Sequence, residues 1–149
     1  MSEQVVGRPM EILLVEDTLE DARATIDALK QGEVICRVTL VVDGEEAMAF
    51  LRREGVFARA PRPDLLLLDI ELPKKTGREV LADIRKDAKL KDLPVVVLTA
   101  SAVHKAVFSA QGLRVDSYMT KPVSRERFLD VVKELKHDWL KESVVLPTE

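Results

Sequence analysis

Apolar residues fall along this chain in two alternating kinds of run: short blocks with no polar side, and longer stretches apolar at every third or fourth position. The block Leu65-Leu66-Leu67-Leu68 has no polar face at period two or at period 3.6, which fits a strand buried on both sides of a parallel sheet. Glu11–Val15 and Pro94–Leu98 have the same character, Cys36–Val42 is rich in β-branched residues with weak alternation, and Val115–Met119 supplies a fifth strand. Helical spacing occupies the intervals between them. A helix capped by Thr18 turns Ala22, Ile26 and Leu29 inward and ends near Gly32, and a second, entered through the Asp43-Gly44 turn, carries Ala47, Met48, Phe50 and Leu51. A third begins after Gly77 with Val80, Leu81, Ile84 and, farther on, Leu90 inward; a weaker one covers Val103–Gln111. The last starts at a Ser124 cap and lines up Phe128, Val131, Val132 and Leu135 on one face.

Five strands alternating with five helices predict right-handed crossovers and a doubly wound α/β domain around a parallel sheet. Periodicity does not give the strand order. Glu54–Pro63, with one glycine and two prolines, reads as a loop before the central strand, and Leu72-Pro73-Lys74-Lys75-Thr76-Gly77 as an exposed turn after it. Residues 1–10 read as a lead-in or weakly docked arm, 11–136 as the domain and 137–149 as a C-terminal extension.

Composition narrows the function. A chain of 149 residues, 46% apolar and 33% charged, holds one domain with a real core. A net charge of −3 without a basic stripe argues against nucleic acid as a partner, since phosphate affinity comes from clustered Lys and Arg. No apolar run approaches the roughly 20 residues that span a bilayer, so no membrane partner and a cytoplasmic location are expected. The single cysteine, Cys36, excludes an internal disulfide and reads as a small buried hydrophobe rather than a reactive thiol. His104 and His137 have no partners at metal-ligand spacing, and Lys74-Lys75 reads as a solvated turn.

The chemistry collects at the strand ends. Glu16-Asp17, Asp69, Thr99 and Lys121 each follow or close a strand, and the carboxyl ends of the strands are where open α/β sheets bind ligands. Carboxylates about 4 Å apart repel by roughly 4 kcal/mol at an effective dielectric near 20, which a divalent cation relieves. Mg2+ suits a shallow acidic pocket because it keeps several waters. With Lys121 it would neutralise phosphoryl oxygens, the electrostatic work on which phosphoryl transfer depends.

The ordered set Asp17, Asp69, Thr99 and Lys121-Pro122, with Tyr118 three residues before the lysine and small Ala100 after the threonine, resembles the receiver domain of bacterial two-component response regulators from about Glu11 to Leu135. The resemblance implies the flavodoxin-like fold with strand order 2-1-3-4-5. It makes Asp69 the phospho-acceptor and Glu16, Asp17 and Asp69 the Mg2+ acids, with the Glu71 backbone carbonyl as a further ligand. Thr99, Ala100 and Lys121 would bind the phosphoryl group, and Tyr118 would be an aromatic switch. The Glu-Asp pair, LPKKTGREVL after the acceptor, the long loop before Asp64 and the tail are similar to single-domain regulators of phytochrome kinases, so the resemblance implies a sensor histidine kinase of the phytochrome or bacteriophytochrome type as the partner. Ser101, two residues after the threonine, the loop and the tail depart from the chemotaxis-type pattern.

Two further readings follow from the residues. Glu71 sits where phosphohydrolases with an Asp-x-Asp loop carry their general acid, so a Mg2+-dependent phosphohydrolase with an aspartyl-phosphate intermediate is the alternative to a switch that is not an enzyme. Phe108, off the stripe of its weak helix, and Trp139, Leu140, Val145 and Leu146 of the tail suggest a homodimer; the bland alternative is a tail folded back on its own domain.

Overall fold

The computed structural model describes residues 8–99 and 112–135. The five strands form one parallel sheet, β1 (Met10–Val15), β2 (Cys36–Val41), β3 (Leu65–Asp69), β4 (Val95–Thr99) and β5 (Ser117–Thr120), in the order β2-β1-β3-β4-β5. Among the described residues there are four α-helices, α1 (Leu19–Lys30), α2 (Gly44–Arg52), α3 (Gly77–Lys86) and α4 (Arg125–Leu135), and a 3-10 turn at Gly55–Phe57 inside the expected loop. The weak helix expected at Val103–Gln111 lies outside the described residues, as do Ala100, Ser101, Phe108, Trp139, Leu140, Val145 and Leu146. No helix among the described residues is long and apolar enough to cross a membrane.

Strand alternation splits the core into two layers. Ile12, Leu14, Leu65, Leu67, Val96, Leu98 and Met119 face one way, onto Ala22 and Leu29 of α1 and Phe128, Val131 and Val132 of α4. Leu13, Val15, Leu66, Leu68, Val95 and Val97 face the other, onto Ala47, Phe50 and Leu51 of α2 and Val80, Leu81 and Ile84 of α3. The four leucines of β3 are at most 1% exposed because both layers close over them, as a block without a polar face requires.

The helix ends obey ordinary capping chemistry, with one exception. Asp43 accepts from the Glu46 N–H at 2.7 Å and Ser124 Oγ from the Arg127 N–H at 3.1 Å. Thr76 and Glu79 form a capping box at the start of α3. Thr18 stands at the cap of α1, but its side chain makes no cap hydrogen bond; its backbone serves the site instead. Helix α3 ends at Lys86, so Leu90 is buried from the turn that follows rather than from the helix.

The chain settles earlier than the lead-in reading placed it. Met10 is fully buried and already pairs in register with Cys36, so β1 starts one residue before Glu11. Arg8 grips Asp64 through two hydrogen bonds of 2.6 and 2.7 Å, and Asp64 also accepts from the Glu11 N–H at 2.8 Å. Asp64→Ala should lower stability by about 1–3 kcal/mol, because the Glu11 N–H beside it loses its buried acceptor. Urea denaturation measures this, and an unchanged midpoint would remove Asp64 from the elements that hold β1 to β3. Cys36 is half-buried against the core with its thiol pKa raised by burial, which agrees with an inert packing role. Lys74 and Lys75 do not simply stand in solvent: they pair with Asp43 at 3.5 Å and Asp83 at 2.6 Å, tying the turn after β3 to α2 and α3.

A candidate phosphoryl and metal site at the carboxyl edge

Register delivers the expected residues to one edge of the sheet. Val15 pairs with Val41 and Leu68, Asp69 with Leu98, and Thr99 with Thr120, so the residues that end or follow β1, β3, β4 and β5 come level with one another. They enclose a cleft of about 310 Å3 lined by Asp17, Thr18, Asp69, Ile70, Glu71, Thr99 and Lys121.

One carboxylate oxygen each from Glu16, Asp17 and Asp69 lies within 4.8 Å of the others. Glu16 is completely buried, Asp69 is buried at the end of β3, and Asp17 is exposed at the mouth. The Lys121 ammonium reaches Glu16 Oε1 at 2.8 Å, Asp69 Oδ2 at 3.2 Å and Asp21 Oδ2 at 3.4 Å. Two backbone N–H groups turn inward as well, Thr18 donating to Glu16 Oε2 at 3.2 Å and Glu71 to Asp69 Oδ1 at 3.3 Å.

The electrostatics follow from this crowding. Burial, and after it Asp69, push the Glu16 carboxyl up to about 7 against the opposing pull of Lys121. Burial alone would lower the Lys121 pKa, but Glu16 and Asp69 overcome that and hold it above its usual value, so the lysine stays charged. Glu16 Oε1 is a buried oxygen whose one close partner among the described residues is the Lys121 ammonium at 2.8 Å, off ideal hydrogen-bond geometry. A buried acid oxygen balanced by a single mobile ammonium, beside two further carboxylates, is the donor set of a hard divalent cation. The residues present fit such an ion.

A family profile described as "Response regulator receiver domain" matches residues 12–133. The chain belongs to this family. Receiver domains are the response-regulator side of two-component signalling, and several relatives of this one are linked by their names to phytochromes. Response regulator Rcp1 of Synechocystis is 42% identical over 139 residues, 93% of this chain and 94% of the relative. A crystal structure of an Rcp1 in its Mn2+-bound form matches with a TM-score of 0.71, 42% identity and coverage of 94% of this chain and all of that one. The phosphorylated cyanobacterial phytochrome response regulator RcpA gives 0.73 at 44% identity, covering 95% of this chain and 100% of its own. The bacteriophytochrome response regulator RtBRR gives 0.80 at 37% identity, covering 86% and 78%.

The geometry of this receiver domain sorts the residues expected from the sequence. Glu16, Asp17, Asp69 and Lys121 converge, and Thr99 and Glu71 line the same cleft. Tyr118 does not line it. Its side chain is half-buried against the layer of α2 and α3, where burial raises its pKa, while its backbone carbonyl accepts from Arg127 at 2.8 Å. Sequence reasoning missed Thr18 and Ile70 as lining residues and Asp21 as a partner of Lys121.

Proposed function

We propose that this receiver domain is a phospho-acceptor switch in which Asp69 takes a phosphoryl group from a sensor histidine kinase, of the phytochrome type, in a Mg2+-dependent reaction in the cytoplasm. The observation that carries the reading is Asp69 at the end of the central strand with Lys121 Nζ at 3.2 Å and the acids of Glu16 and Asp17 beside it. The printed names of the relatives support the phytochrome pairing.

Glu16, Asp17 and Asp69 would hold the Mg2+, with the Glu71 backbone carbonyl as the further ligand implied by the family resemblance. The ion supplies charge neutralisation of phosphoryl oxygens when bound. Asp69 presents a carboxylate oxygen to phosphorus, and the bond between phosphorus and the donor's leaving nitrogen breaks as the new P–O bond forms. Lys121 stays charged and stands ready to neutralise the transferred group, while Thr99, at the end of the adjacent strand, is placed to bind a phosphoryl oxygen. Since the lysine directly follows β5, its move from Glu16 and Asp69 onto the phosphoryl group would pull on that strand and on the surroundings of Tyr118, a local charge event biasing two conformations. Output then runs through contact with another protein. A homodimer using Phe108 and the tail remains a proposal resting on their apolar character alone.

Mass spectrometry of the chain incubated with Mg2+ and a small acyl phosphate tests the chemistry: one added phosphoryl group is expected, and none without Mg2+. Asp17→Ala removes an exposed acid, so stability should change by no more than about 0.5 kcal/mol. Mg2+ affinity and labelling rate should both fall. An unaltered Mg2+ affinity by titration calorimetry would count against the assigned pocket.

A further inference from the structure

Lys121 is held by three acids of different kinds. Glu16 and Asp69 belong to the carboxylate cluster, and their side chains are 0% and 9% exposed. Asp21 lies outside that cluster, on α1, with a side chain 47% exposed at the rim. Glu16 and Asp69 hold the ammonium more closely, at 2.8 and 3.2 Å, while the Asp21 carboxylate accepts a longer hydrogen bond from it at 3.4 Å.

A divalent cation among Glu16, Asp17 and Asp69 and an ammonium seated on two of those same acids are competing occupants, because like charges in a partly buried site repel strongly. The lysine must loosen its hold on Glu16 and Asp69 for the ion to enter, yet remain in the cleft to meet a phosphoryl group. No other acid touches it among the described residues, so its place of retreat is Asp21. The backbone of α1 fixes that position, and the acid points toward the ammonium before any ion arrives.

We propose that Asp21 is a positioning residue that draws Lys121 off the metal acids and so admits the divalent cation without losing the lysine from the site. This rests on the reading of Glu16, Asp17 and Asp69 as the Mg2+ acids. Asp21 itself touches neither the ion nor the phosphoryl group; it acts through the lysine. Its removal confines the ammonium to the two carboxylates the ion needs.

Mg2+ titration calorimetry on the full chain tests this with five proteins: parent, Asp21→Asn, Asp21→Glu, Lys121→Met and the Asp21→Asn/Lys121→Met double variant, with circular dichroism verifying the fold of each. Asp21→Asn should weaken Mg2+ binding about threefold to fivefold, the scale of a partly exposed ion pair, and Asp21→Glu should recover most of it. In the Lys121→Met background the same Asp21→Asn change should shift Mg2+ binding by less than about twofold, since only a screened rim charge is lost. An equal loss in both backgrounds would reduce Asp21 to a general negative charge and overturn the proposal. So would an unchanged affinity in the single Asp21→Asn variant. A parent that binds no Mg2+ at all would strike down the metal reading itself, an outcome distinct from the other two because it appears before any substitution is made.

Discussion

Asp69→Asn should abolish phosphoryl labelling and leave a folded domain. The amide has nearly the shape of the carboxylate and sits at the buried end of β3, where either side chain fits. It has lost the anionic oxygen that attacks phosphorus, and an amide nitrogen offers no substitute nucleophile. The change also takes one negative charge from a cluster in which Glu16 is already pushed up to about 7 by burial and by its neighbours. Stability should therefore hold or rise, by the same like-charge argument that makes the native cluster costly to fold. Mass spectrometry after incubation with Mg2+ and a small acyl phosphate reads the labelling, and thermal unfolding reads the fold. Full labelling of the variant would move the acceptor to another carboxylate, with exposed Asp17 the first to examine, and would end the assignment made from strand position.

The strands were legible in the sequence because a parallel sheet covered on both faces needs uninterrupted apolar blocks, and the leucines of β3 and the valines of β4 have no other explanation. Their order was not legible from periodicity, which carries no information about neighbours; 2-1-3-4-5 came with the family resemblance. At the fifth strand burial and pairing part company. Val115 is apolar and packs on the core, yet β5 begins at Ser117, because Asp116 is engaged in closing the sheet's other edge: its carboxylate accepts from the Val95 N–H at 2.7 Å and meets Arg85 at 3.1 Å. The site acids were legible because strand ends gather at one edge whatever the strand order. What escaped notice acts through backbone or through a second partner. The Thr18 N–H on Glu16 is local but belongs to the backbone, whereas the Asp21 carboxylate on Lys121 and the Arg8 grip on Asp64 join residues 100 and 56 positions apart, and no spacing along the chain encodes those.

Gly77 belongs to the same class, and its replacement should have the larger effect on the fold. In sequence it reads only as the residue that releases a turn into a helix. In the structure a Cβ there would run into the Asp69 carbonyl oxygen and lie 2.9 Å from Ile70 Cα and 3.0 Å from Ile70 O. All three are backbone atoms of the segment that carries the acceptor, so none can swing aside as a side-chain tip would. The Gly77 N–H meanwhile donates to Ile70 O at 3.1 Å, and the Thr76–Glu79 capping box fixes where α3 begins, so the helix is poorly placed to retreat. Gly77→Ala should cost about 3 kcal/mol, at the upper end of ordinary overpacking. The strain falls on the Asp69–Ile70 backbone, so phosphoryl labelling of the surviving folded fraction should slow as well. Gly55 separates this from a general intolerance of alanine. It has φ +57 with nothing within 4 Å of an added Cβ, so Gly55→Ala meets only the left-handed backbone penalty. That penalty is roughly 1 kcal/mol, and labelling should match the parent. Urea denaturation and the labelling rate, measured on both variants, decide the matter. If Gly77→Ala proves as stable and as readily labelled as the parent, the close approach of α3 to the acceptor strand does not hold Asp69 in place.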